Sequence, residues 1–161
     1  MLQKELGKVA SVSSRPTPGG IGCVPRMVSE KLRKAGLRPT RQRLALGWLL
    51  FGKGDRHLTA EQLYEEARGA RVNMSLATVY NTLRQFTESG LLREVALFGS
   101  KVWYDTNTGP HYHYYVEEQD ELFDIPDMMV PQLAVPGAPE GMIIAGVDVI
   151  VRLKKAPTAT S

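Results

Sequence analysis

One cysteine, three histidines and no apolar run long enough to span a bilayer set the first limits on this 161-residue chain. Cys23 alone cannot close an internal disulfide, and it excludes an all-cysteine metal cage within one chain. No continuous apolar stretch follows Lys4, Glu5 and Lys8, so no secretory leader is expected and the chain is placed in the cytoplasm with no membrane partner. Long helix is scarce in the last third, where Pro126, Pro131, Pro136, Pro139, Gly137 and Gly141 leave room for one short helix at most.

Each part of the chain is short of charge of one sign. Residues 1–101 hold 17 basic side chains against 8 acidic ones, a net +9, and residues 102–161 hold 3 against 9, a net −6. A basic half attracts phosphate by counterion release and steers its approach. Charge alone does not separate DNA from RNA or from an acidic protein.

What is present is organised around residues 75–90. Leu76, Val79, Leu83 and Phe86 recur at helical spacing, and Ala77, Thr78, Asn81, Arg84, Gln85 and Glu88 fall on the opposite face. Ser75 suits the start of this helix and Gly90 its end. The outward face has the size and donors to enter a DNA major groove, although a solvated helix face looks the same. Upstream, Thr59 with Gln62 three residues on reads as a capping box opening a helix over 59–67, and a connection over 69–74 completes a helix-turn-helix. Downstream, residues 91–97 and 102–105 read as a hairpin with its turn at 98–101. Helices followed by a hairpin make a winged helix.

Residues 1–26, rich in Ser, Pro and Gly, read as a flexible arm. A short basic helix follows over 28–36, stopped by Gly36. A second opens after Thr40, with Leu44, Trp48 and Phe51 or Leu50 as its expected buried stripe. Arg38, Arg41 and Arg43 stand at the start of that helix, where long cations suit phosphate. Residues 52–58 read as a loop and 106–110 as a hinge. Strands are expected over 111–117, 121–125 and, from the alternation of Ile143, Ala145, Val147, Val149, Val151 and Leu153, over 142–154. Three strands with so little helix make a poor independent core, so residues 111–161 are expected to pair with a second copy of the chain. The expected class is α+β: a winged helix-turn-helix over 27–105 and a small C-terminal α/β dimerisation domain.

His111 and His113, two apart on the expected strand, point the same way, and an acidic group could complete a metal shell around them. An exposed histidine pair on a sheet looks the same.

Several ordered stretches of this chain resemble the ferric uptake regulator family. They are residues 38–43 (Arg-Pro-Thr-Arg-Gln-Arg), 57–64 (His-Leu-Thr-Ala-Glu-Gln-Leu-Tyr), 76–83 (Leu-Ala-Thr-Val-Tyr-Asn-Thr-Leu) and the strand from Lys101 to Asp105. The resemblance covers about residues 28–125. It implies a winged helix, a hinge and a dimerisation domain whose metals control DNA binding, and it carries the family's sensing site onto His57, Asp105, His111, His113 and Asp124. Every histidine of the chain then belongs to one site. Two departures look like the iron response regulator branch, known to respond to haem. Val116 and Gln119 stand where many relatives carry Cys-x-x-Cys, so no structural cysteine zinc is expected, and the Pro-rich stretch replaces a long dimerisation helix. Haem would take His111 or His113 as axial ligand, with Tyr112 a lesser candidate. Cys23-Val24-Pro25 is only loosely similar to the Cys-Pro pair of haem-regulated proteins, and Cys23 reads better as an inert thiol.

The expected function is therefore a transcriptional regulator of iron and haem genes. It is expected to act as a homodimeric repressor of palindromic operator DNA, answering to haem or to a divalent metal (Fe, Mn or Zn). Ser75, Thr78, Tyr80, Asn81 and Arg84 are the groove candidates, and Arg41, Arg43 and Lys101 the phosphate candidates. Two other classes compete: a metal-dependent hydrolase using His57, His111 and His113, which lacks a separate general base, and a haem carrier.

Overall fold

The computed structural model describes residues 24–97, 101–126 and 134–156. Cys23, nearly all of the N-terminal arm, the wing turn at 98–100 and part of the Pro-rich stretch lie outside the described residues. The first unit contains α1 (Val24–Lys34), α2 (Arg41–Phe51), β1 (His57–Leu58), α3 (Ala60–Gly69), α4 (Leu76–Glu88), β2 (Arg93–Ala96) and β3 (Val102–Asp105). Local chemistry explains the boundaries. The Thr40 hydroxyl accepts the Arg43 N–H at 3.3 Å and opens α2. Thr59 and Gln62 form the expected capping box, each side chain accepting the other's backbone N–H. Ser75 caps α4, and Gly90, at φ +73°, takes the left-handed turn that ends it.

The core of this unit draws on all four helices, with Val28, Leu32, Leu50, Leu63, Leu83 and Phe86 fully buried. In α2 the expected stripe holds at Leu50, with Leu44 and Phe51 packed against the core, and fails at Trp48. Leu46, Gly47, Leu49 and Leu50 face inward, while Trp48 is 39% exposed. The reason is steric: a Cβ on Gly47 would lie 2.6 Å from Val28 Cγ1, so the bare backbone at Gly47 lets α1 settle on that face. A hydrophobic count gives a glycine no weight and so chooses the neighbouring face.

The expected loop over 52–58 ends in a strand. β1 is two residues long and pairs antiparallel with β3, which lies in the centre of a sheet ordered β1-β3-β2. No periodicity can show over two residues.

The second unit is a sheet of β4 (His113–Val116), β5 (Glu121–Asp124) and β6 (Ile150–Leu153), ordered β5-β4-β6, with β6 parallel to β4. The expected third strand over 142–154 shortens to residues 150–153. Residues 142–149 are without regular structure, and 142–148 are exposed, Ile143 by 90%. An alternating run becomes a strand only where an edge and an apolar surface receive it, and no described residue covers this one. The inner face of the second sheet packs on the wing: Val95, Leu97 and Trp103 meet Leu122, with Tyr115 and Ile150 beside them. No helix among the described residues is long and apolar enough to cross a membrane.

Candidate metal centre

Strand register brings the histidines together. His57 of β1 lies directly opposite Asp105 of β3, and His113 of β4 lies opposite Asp124 of β5. Residues opposite each other in a ladder share a face, so each sheet presents one imidazole and one carboxylate, and the two sheets are packed together. His111 precedes β4 rather than lying on it, and its ring still turns to the same point. One donor atom from each of His57, Asp105, His111, His113 and Asp124 falls within a cluster 4.8 Å across.

The donors converge closely. His111 Nε2 is 2.8 Å from Asp105 Oδ2, 3.1 Å from Asp124 Oδ1 and 2.9 Å from His113 Nε2. His57 Nε2 is 2.9 Å from Asp124 Oδ1 and 3.5 Å from Asp105 Oδ2. His111 Nδ1 donates to the Gly109 carbonyl at 2.8 Å. In the neutral ring that leaves Nε2 as a lone pair facing another imidazole nitrogen. His57 Nε2 is buried without a hydrogen-bond partner. Such an arrangement is costly unless a cation sits among the lone pairs. Burial opposes ionisation of Asp105. The adjoining His113 and His57 rings and the hydrogen bond from the Asn107 N–H outweigh it and hold the carboxyl well below the usual carboxylate range.

Donors about 2 Å from one ion stand up to about 4 Å apart, so three imidazoles and two carboxylates fit a small divalent cation. A macrocycle fits less well. His111 and His113 are buried and face each other and two carboxylates, which leaves neither ring an open side for haem.

The groove and phosphate candidates separate. Asn81 and Arg41 are exposed and make no side-chain hydrogen bond or ion pair among the described residues. Arg84 is exposed, 3.9 Å from Glu88. The Ser75 and Thr78 hydroxyls meet each other at 2.9 Å. Tyr80 donates to Glu61, which lowers the Glu61 carboxyl and raises the Tyr80 phenol from their ordinary values. Arg43, expected on phosphate, is instead a tie between helices. Its guanidinium donates to Gln85 Oε1 at 2.9 and 3.1 Å and to the Arg38 carbonyl at 2.8 Å, because α2 and α4 pack side by side there. Lys101, also expected on phosphate, pairs with Asp120 and lies over the Trp103 ring, because the wing rests on the second sheet.

Residues 34–138 match the model of the ferric uptake regulator family, a span that holds all five clustered donors. The chain belongs to the ferric uptake regulator family. Among relatives, the peroxide-responsive repressor of Staphylococcus epidermidis is 38% identical over 93 residues, covering 58% of this chain and 61% of that protein. The peroxide operon regulator of Bacillus subtilis is 39% identical over 95 residues, covering 59% of this chain and 65% of that protein. The chain thus spans under two thirds of these relatives' length. A ferric uptake regulator from Pseudomonas aeruginosa, solved with manganese, superposes with a TM-score of 0.60 at 25% identity, over 80% of this chain and 97% of that one.

Sequence reasoning assembled the five donors of this family member without the groups around them. The Gly109 carbonyl accepts from His111 and the Asn107 N–H donates to Asp105, while the Arg93 guanidinium donates to that same Gly109 carbonyl. No residue pattern marks them.

Proposed function

We propose that this chain is a metal-responsive transcriptional regulator, a cytoplasmic repressor that binds palindromic operator DNA as a homodimer. One observation carries the reading: the donor cluster takes His57 and Asp105 from the winged helix and His111, His113 and Asp124 from the second unit. An ion held by both units favours one arrangement of them. That is the differential contact through which binding at one site alters affinity at another. The outward side of α4, with Asn81 and Arg84 exposed, supports major-groove reading, and Arg41 supports phosphate contact.

The second sheet supports dimerisation. Tyr114, Phe123 and Val151 are neighbours across its outer face by register, and Phe123 and Val151 are exposed there. Exposed Met142, Ile143 and Ile144 extend the apolar surface, which suits burial against a second copy.

For the effector, the donor chemistry favours Fe(II), Mn(II) or Zn(II) without ranking them for the cell. Val116 and Gln119 and the Pro-rich stretch support the iron response regulator branch; haem, the signal of that branch, would then bind apart from His111 and His113, which face each other and two carboxylates. The names of the relatives make peroxide a second stimulus to test. A hydrolase is the weaker reading: three of the five donors are buried, which restricts the approach of a substrate to any ion held there.

An operator titration of the purified protein, metal-free and with Mn(II), haem or peroxide added, tests this. Binding to a palindrome that a scrambled duplex does not share, altered by Mn(II) and weakened in Arg84→Ala, is the expected result. Equal affinity for palindrome and scramble at every effector level would end the proposal.

A further inference from the structure

Arg93 opens β2 on the winged-helix side, opposite Asp105 in the ladder, so its side chain leaves the first sheet on the face that meets the second. The guanidinium divides between two acceptors. Nη1 donates to the Gly109 carbonyl at 3.4 Å, and Nη2 pairs with Asp148. Both acceptors lie next to a metal donor. Gly109 O is the group that receives His111 Nδ1–H at 2.8 Å and so sets which ring nitrogen of His111 is left bare. Asp148 precedes Val149, whose carbonyl accepts the His113 N–H at 3.1 Å at the start of β4. One planar fork on the first unit therefore holds the backbone behind both histidines of the second. The Arg93 side chain is part-buried at the seam and Asp148 is exposed, so the bond to the Gly109 carbonyl is the one less readily replaced by water.

We propose that Arg93 is the positioning residue of the metal centre: through Gly109 and Asp148 it orients His111 and His113 and joins their placement to the winged helix. This rests on the five-donor site being a metal site. The guanidinium touches no donor atom; it acts on the Gly109 carbonyl that aims His111 and on the Asp148 carboxylate, one residue before the Val149 carbonyl that holds His113. A lysine cannot reproduce the role, because it is a point charge and cannot serve two acceptors in one plane. The second ion pair across the seam, Lys101 with Asp120, has no such link, since neither partner bonds a donor or the backbone holding one.

The test uses the full chain with Mn(II) as probe, free Mn(II) being counted by electron paramagnetic resonance, and Co(II) absorption as a reading of donor geometry. Arg93→Ala is expected to weaken Mn(II) binding about tenfold or more and to change the Co(II) bands, in the range found for outer partners of metal ligands. Arg93→Lys is expected to recover little, and Asp148→Asn, nearly isosteric, to show a smaller loss of the same kind. Lys101→Ala is expected to leave both readings at the wild-type level. Wild-type Mn(II) affinity and Co(II) bands in Arg93→Ala and Asp148→Asn would overturn the proposal, as would an equal loss in Lys101→Ala, which would make the effect one of general docking. If the wild-type protein itself binds no Mn(II) or Co(II), the metal reading fails, and the role of Arg93 with it.

Discussion

The winged-helix unit and the second sheet differ in what holds them. The first buries fully apolar side chains from four helices against one another. The second contributes Leu122, with Tyr115 and Ile150 partly buried beside it, to a cluster completed by Val95, Leu97 and Trp103 of its neighbour. Its inner face is divided between that cluster and the polar donors His113 and Asp124, and on its outer face Phe123 and Val151 are exposed. A unit with its own core keeps its shape whatever it binds. A unit without one takes its order from what it touches, here the wing, a cation and, as proposed, a second copy. The difference suits a sensor, because the part that must respond is the part whose stability is borrowed.

The contrast can be broken experimentally, most sharply in the first core. Phe86→Ala should cost about 3–5 kcal/mol, as for a fully buried aromatic, and unfold the chain in much less denaturant. A loss under about 1 kcal/mol would mean that the helices are not the independent part. Next in size is metal linkage. Mn(II) at a hundred times its dissociation constant should stabilise the chain by about 2.7 kcal/mol. His113→Ala should abolish that gain in a calorimetric melt, and a gain that survived would place the ion elsewhere. Smaller still is the Arg56–Glu66 pair of the first unit. Burial alone would raise the Glu66 carboxyl, but hydrogen bonds from Arg56 bring it below its ordinary value of 4.5. The stabilisation is then present above that value and fades as pH falls through the depressed one. Glu66→Gln should remove about 1–2 kcal/mol at neutral pH and flatten this acid dependence. Parallel acid profiles for the two proteins would refute it. The smallest effect is expected from Val151→Ala on the outer face, within about 0.5 kcal/mol for an isolated copy. Its larger consequence should be a shift toward monomer in sedimentation, and an unchanged association constant would remove this face from the dimer.

The two units were also unequally legible. Each helix of the winged unit announced itself through spacing and caps: Leu76, Val79, Leu83 and Phe86 on one face, Ser75 and Gly90 at the ends, and Thr59 with Gln62 as a capping box. These signals are local, and local hydrogen bonds and periodic burial are what a helix is made of. Trp48 was misplaced because the face of α2 is chosen by the bareness of Gly47 against Val28, a contact between helices. The strand expected over 142–154 was overdrawn because alternation states a capacity for pairing and not the presence of a partner. Arg43 and Lys101 looked like free cations because a sequence does not show that Gln85 and Asp120 lie within reach.

What the amino-acid order settled alone is the four helices and the wing hairpin of the first unit and, through the family resemblance, the identities of the five donors. Both are written in short spacings that survive without knowledge of the rest of the chain. Tertiary structure decided that His57 faces Asp105, that His113 faces Asp124, and that the two pairs close on one point with Arg93 behind them. Those facts depend on strand register and on the packing of one sheet against another. They are long-range consequences of burial, and no single stretch of sequence contains them.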